Sequence, residues 1–113
     1  MSLNQVPNVF PKTILDPVVK TTSFTTNNIP LDSNSNISLS LHVISSSSLT
    51  SKAKIQVSHD GSTWFDLPGT ECFMNADGDF LWTIKDIGSM MQMRINVVVS
   101  SGSAIFMAIS RGT

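Results

Sequence analysis

One pattern recurs along this chain and narrows its folds before any other property is weighed: apolar and polar residues alternate with a period of two. Ile37, Leu39, Leu41 and Val43 share one face of an extended segment, and Ser38, Ser40 and His42 share the other. Ala53, Ile55 and Val57 alternate with Lys52, Lys54, Gln56 and Ser58, and Phe80, Trp82 and Ile84 alternate with Leu81 and Thr83. In the longest such run, Met91, Met93, Ile95, Val97 and Val99 oppose Gln92, Arg94 and Asn96, and Ile105, Met107 and Ile109 close the series. Successive side chains of a strand point to opposite faces, so this is the pattern of half-buried strands. Seven or eight strands at close spacing, nearly all alternating, predict two sheets facing each other. The expected fold is all-β: a single antiparallel β-sandwich, jelly-roll-like or Ig-like. Ser, Thr and Asn make up 36 of the 113 residues, against one Glu and four Ala, which leaves few helix formers. A chain of this length holds one core and no second domain.

Turn signals separate the strands. Asp60-Gly61 and Asp77-Gly78 predict tight turns, because Gly and Asp tolerate the positive φ that such turns require. Pro68-Gly69 ends a strand, Ser45–Ser48 reads as a flexible loop, and Ser101-Gly102-Ser103 reads as a hairpin turn. The predicted core is Leu39, Leu41, Val43, Ile55, Val57, Phe80, Trp82, Ile95, Val97, Ile105 and Met107. Residues 21–113 form the sandwich in this reading, and residues 1–20 an extended N-terminal arm. The arm's apolar residues, among them Leu3, Val6, Val9, Phe10, Ile14 and Leu15, fit neither period, and Pro7, Pro11 and Pro17 forbid a long helix. Such an arm needs a surface, either its own sandwich or a neighbouring subunit, and Phe10 is its best single anchor.

Residues with the types needed for chemistry do not assemble into a site at this level. Ser58-His59-Asp60 has the residue types of a triad, but triad members meet across a fold, so adjacency argues for a strand end. Asn75-Ala76-Asp77-Gly78-Asp79 resembles a fragment of a calcium loop. Aligning its glycine puts Phe73 at the first ligand position, and no Glu closes the loop, so it reads as a hairpin turn. There is no paired His or Cys metal spacing and no Gly-rich phosphate loop, so no cofactor, metal or catalytic residue is expected. Cys72 is the sole cysteine and reads as a buried, inert thiol. Net charge is −1 with 13% charged residues, which removes the basic footprint of a nucleic-acid binder. No segment approaches the roughly 20 apolar residues of a membrane-spanning helix, and residues 1–20 lack the basic start of a secretory signal. Trp64 and Phe65 are adjacent and point to opposite faces of a strand, so Trp64 is either core rim or contact surface. Met90, Met91 and Met93 cluster at one strand start, where adaptable side chains suit an interface, with Met90 as a contact residue.

Three runs together carry a resemblance. They are Ile55-Gln56-Val57-Ser58-His59-Asp60-Gly61-Ser62-Thr63-Trp64-Phe65-Asp66-Leu67-Pro68-Gly69, then Gly78-Asp79-Phe80-Leu81-Trp82, then Met93-Arg94-Ile95-Asn96-Val97-Val98-Val99 ahead of Ser101-Gly102-Ser103. This order of a Ser-x-Asp-Gly-x-x-Trp hairpin, a Trp strand and an Arg strand resembles small β-sandwich virion proteins of tailed bacteriophages, of the head decoration or cement type. The resemblance spans about half the chain. It implies a non-enzymatic capsid decoration protein that staples major capsid subunits. Such a protein would be made in the host cytoplasm, sit on the capsid surface, and self-associate there as a dimer or trimer. The partner-binding residues expected on this reading are Val6, Val9, Phe10, Ile14, Leu15, Trp64 and Met90. The alternative is a tail or fibre adhesion module that binds host-surface carbohydrate through Trp64.

Overall fold

The computed structural model describes residues 12–30, 36–85 and 92–112. These hold eight strands and no helix: β1 (Lys12–Lys20), β2 (Phe24–Thr25), β3 (Ile29–Pro30), β4 (Ile37–Ser58), β5 (Phe65–Asp66), β6 (Cys72–Phe73), β7 (Gly78–Ile84) and β8 (Gln92–Gly112). All pairings are antiparallel, and the spine is one long ladder between β4 and β8, running from Ile37 opposite Gly112 to Ser58 opposite Gln92. Each end of this ladder carries its own flanking strands. The end built from Ile37–Ile44 and Ile105–Gly112 has β7 beyond β4 and β1 beyond β8. The other end has β5 and β6 beyond β4, with β2 and β3 beyond β8.

The ladder folds over in its middle, so the two ends face each other as two layers. Phe24, on β2 of the second layer, meets Phe106 of the first edge-on at 5.0 Å between ring centroids. The indole N–H of Trp82 on β7 donates to the carbonyl of Thr70, 2.8 Å away. Leu39, Leu41, Val43, Trp82 and Phe106 from the first layer and Ala53, Ile55, Met74, Met93, Ile95 and Val97 from the second form one buried cluster. This is the β-sandwich that the alternation implies.

The fold-over happens where the sequence suggests breaks. Ser45–Ser48 is the corner of a continuous 22-residue strand rather than a loop, with Ser45 and Ser48 in the left-handed region at φ 52° and 48°. Ser101-Gly102-Ser103 is likewise a corner inside β8 rather than a hairpin turn. Gly102 has φ 79°, and a Cβ there would collide with the carbonyl oxygens of Ser47 and Ser48. The two corners are out of register, and the ladder emerges shifted by one residue. On β4 the inward set stays odd-numbered. On β8 it changes from Met93, Ile95 and Val97 to Ala104, Phe106 and Ala108. Ile105 and Met107, expected in the core, therefore point outward and are replaced there by Phe106 and its alanine neighbours. A one-residue slip turns every side chain beyond it to the other face.

The expected boundary at residue 20 also moves. Lys12–Lys20 is an edge strand of the sandwich, from Lys12 opposite Ser110 to Lys20 opposite Ala104. Ile14 is 5% exposed within the core, and Leu15 packs against it opposite Ala108. Ile14 is thus engaged within its own domain, and Leu15 is half-buried against it. Register shifts around Leu15 absorb Pro17, whose missing N–H an edge strand tolerates.

Candidate interaction faces

Each layer has one face on the core and one outside. The outside of the second layer is polar and bonded to itself. Asp66 on β5 accepts from Lys54 Nζ and from Gln56 Nε2, both at 2.9 Å. Gln56 Oε1 accepts in turn from Arg94 Nε at 2.9 Å. The Arg94 guanidinium lies over the Trp64 ring, 4.0 Å from its centroid. The bonds from Gln56 and then Lys54 hold the Asp66 carboxyl below the usual carboxylate range. Trp64 is thus half-buried with one ring face covered by a cation. The open rings on this layer are Phe73, 70% exposed, and Phe65, 55% exposed.

The outside of the first layer is different. The shift in β8 places Ile105, Met107 and Ile109 there, opposite Ile44, His42 and Ser40 of β4. Val19 of β1 lies opposite Ile105 and is 62% exposed, Ile44 is 50% exposed, and Leu81 of β7, opposite Ser40, is 70% exposed. A shallow groove of about 210 Å³ crosses this face, lined by Ser38, Ser40, Leu81, Ile109, Ser110 and Arg111. Four strands at about 4.8 Å spacing and eight residues at about 3.3 Å rise give the face roughly 500 Å². Its apolar residues are interleaved with Ser38, Ser40, His42, Asp79, Thr83 and Arg111.

The same face brings together a serine, a histidine and a carboxylate that the sequence reading passed over. Ser40 Oγ lies 3.3 Å from His42 Nε2, and His42 Nδ1 lies 2.6 Å from Asp79 Oδ1. The order is that of a hydrolytic triad, but β4 is paired on both sides at Ser40, with Ile109 and with Leu81. Ser40 thus sits in the middle of a paired sheet rather than on a turn. The array ties β4 to the edge strand β7. Its signal is the register that sets His42 opposite Asp79, which no local motif carries.

The residues the sequence singled out for chemistry have structural work. Asp60 accepts from the backbone N–H of Ser62 and of Thr63, both at 2.8 Å, and Gly61 has φ 80°, which makes the Asp-Gly turn. Asn75 accepts from the N–H of Ser51 and Asp77 from that of Ser46, so the second Asp-Gly turn fastens the β4 corner. Hydrogen bonds from Ser46 hold the Asp77 carboxyl below its usual range, and burial pushes the Cys72 thiol up. Among the described residues, no group of three or more His, Cys, Asp or Glu is placed to hold a metal ion. Of the expected partner-binding residues, Ile14 and Leu15 lie in or against the core and Trp64 lies under Arg94. Val6, Val9, Phe10 and Met90 lie outside the described residues.

No family model matches the sequence, and no curated protein matches it. Among solved structures, the SPBc2 prophage-derived protein YomS superposes with a TM-score of 0.62 at 12% identity, covering 89% of this chain and 90% of its own. A protein of the Triatoma virus empty capsid gives 0.54 at 6% identity, covering 93% and 88%. A CBM4 module gives 0.51 at 18% identity, covering 91% and 70%. What the chain shares with all three is the β-sandwich fold.

Proposed function

We propose that this protein is a virion structural protein, and specifically a capsid decoration protein that staples major capsid subunits. The observation that carries the reading is the outer face of the first layer, where Val19, Ile44, Leu81, Ile105, Met107 and Ile109 lie exposed or half-buried among Ser38, Ser40, His42 and Thr83. Cement proteins bind by area and shape, and this face offers a groove flanked by exposed Leu81 and half-buried Ile109. The likeness of fold to a prophage-derived protein and to a viral capsid protein supports the same reading. Self-association and an N-terminal segment that reaches a neighbour belong to the proposal. Mixing purified protein with undecorated phage heads tests it. Saturable binding at hundreds of copies per particle, lost on Leu81→Asp with Ile109→Asp, is the expected result. Binding at a handful of copies, or binding indifferent to both changes, overturns it.

The rival reading, an adhesion module that binds sugar on a tail or fibre, draws on the CBM4 likeness of fold. Arg94 already occupies one face of Trp64, the ring that reading depends on. Selective binding on a glycan array, abolished by Trp64→Ala, would favour it over decoration.

A further inference from the structure

The outer face of the first layer separates its charges by sign. Toward the free end of the ladder, Arg111 of β8 lies opposite Ser38, and Lys85 directly follows β7, whose last residue, Ile84, lies opposite Ile37. Toward the corner, Asp79 of β7 lies opposite His42, and Asp77 stands just before that strand. Asp16 of β1 falls at the same level, beside Met107, between Leu15 opposite Ala108 and Val18 opposite Phe106. All of these charged residues are exposed. Arg111, Lys85 and Asp16 have no ion-pair partner among the described residues. The two lysines of β1 do not undo the division. Lys12, opposite Ser110, is at the cationic end, and Lys20, opposite buried Ala104, lies over the Phe24 ring that packs against Phe106. The two ends are about 13 Å apart, four residues along a strand. Between them Leu81, Ser40 and Ile109 form one row across β7, β4 and β8.

We propose that this face stacks on the same face of a second copy, about a two-fold axis that runs across the strands at the row of Leu81, Ser40 and Ile109. The proposal rests on the self-association named above and deepens it. It is tested on the free protein in solution, so it fails separately from particle binding. Such an axis lays each strand over its own counterpart with the direction reversed. Lys85 and Asp77 each lie four residues from Leu81, on opposite sides of it. Lys85 of one copy therefore faces Asp77 of the other, with Asp79 beside it. Arg111 and Met107 each lie two residues from Ile109. Arg111 therefore faces the level of Met107 and reaches Asp16 on the strand next to it. Each contact occurs twice, as a two-fold axis requires. At the axis Leu81 meets Leu81 and Ile109 meets Ile109, which takes aliphatic side chains out of water.

Charge selects this arrangement over the alternatives. A two-fold axis along the strands would lay the cationic end on the cationic end and the acidic end on the acidic end, and like charges brought together cost affinity. A partner of a single sign would meet one end favourably and the other unfavourably. A second copy turned end for end satisfies both, because the face carries its own complement. Area sets the strength. About 500 Å² from each copy gives about 1,000 Å² in all, the lower limit for a specific contact. The pair is therefore expected to be weak, with a Kd on the order of 10–100 μM.

Charge reversal in the full chain tests the pairing. In sedimentation equilibrium, Arg111→Asp and Asp16→Arg are each expected to weaken association about tenfold or more, since each replaces attraction with repulsion at two symmetric places. An equimolar mixture of the two variants is expected to associate within about threefold of wild type, because the reversed groups then face opposite charges across the axis. Both positions are exposed, and circular dichroism with thermal melting checks that the variants keep the wild-type fold. Should either melt early, Lys85→Glu, outside every described strand, takes its place, with an expected weakening of about threefold or more. Added salt is expected to weaken the wild-type pair. A wild type that stays monomeric up to about 1 mM, reversals without effect, a mixture no tighter than its components, or a pair indifferent to salt overturns the proposal.

Discussion

The outer faces of the two layers are made by the same two strands, yet the second carries a hydrogen-bonded network of charged side chains and the first an apolar stretch of β8. In the second layer the outward residues of β4 and β8 are Lys52, Lys54, Gln56, Arg94, Asn96 and Val98, and the charged ones have partners within the face. In the first layer the outward residues of the same strands are Ser38, Ser40, His42, Ile44, Ile105, Met107, Ile109 and Arg111. Strand propensity is common to both, so the fold does not impose the difference. Lysines and an arginine satisfied by neighbours make a surface complete in water. The first layer instead shows Ile44, Leu81 and Val19 to solvent beside the groove. What a strand shows to solvent is thus a better guide to function here than which strand it is.

The sharpest way to break this contrast is at the one-residue shift that creates the apolar face. Phe106 is fully buried while its neighbour Ile105 points out. Phe106→Ala is expected to cost about 3–5 kcal/mol and Ile105→Ala about 0.5 kcal/mol or less, read from urea unfolding. Comparable costs would mean that the shift is misplaced. Next in size is the corner itself. Gly102→Ala puts a Cβ into the carbonyls of Ser47 and Ser48 at a positive φ, for an expected loss of about 2–4 kcal/mol by thermal melting. A near-neutral Gly102→Ala would show that the corner is looser than described.

Two milder changes separate the faces by their roles. Arg94→Ala removes a guanidinium from Gln56 and from the Trp64 ring, and should cost about 1 kcal/mol of stability while leaving association intact. Leu81→Asp on the other face should change stability by about 0.5 kcal/mol or less yet abolish association in sedimentation. If the two exchanged phenotypes, the faces have been assigned the wrong way round. The smallest effect is on acid stability. Asp60, Asp66 and Asp77 all have lowered pKa values when folded, so each stabilises the protein above the ordinary carboxylate range. That contribution is lost as pH falls through the lowered folded values. Melting temperature should fall over that window, and Asp66→Asn should make the fall shallower. An unchanged profile would detach Asp66 from the polar network.

Much of this was legible in the residues. The alternation at Ile37–Val43, Ala53–Val57 and Met93–Val97 located half of each long strand and its buried face. What could not be read was that the halves join. Ser45–Ser48 and Ser101-Gly102-Ser103 have the composition of turns, and whether such a stretch reverses the chain or bends a paired strand depends on the strand beside it. The inward face of Ala104–Ile109 was hidden for a different reason. Every residue in that run is apolar, so periodicity offers no choice between Ile105 with Met107 and Phe106 with its alanines. The candidate face inherits this ambiguity, because it is made of the residues the pattern would have buried.

The long ladder between β4 and β8 also sets how the protein reaches this state. Its least separated partners are Ser58 and Gln92, and its most separated are Ile37 and Gly112, near the end of the chain. Almost none of the contacts that build the core are local, so a large loop must close before any of them form. Chains dominated by such pairings fold in milliseconds to seconds rather than microseconds. The second layer, which holds the closer end of the ladder, is placed to form first. The apolar outer face is then assembled only after the zipper has passed the corner, so the sticky surface is completed late, on a chain whose core is already closing.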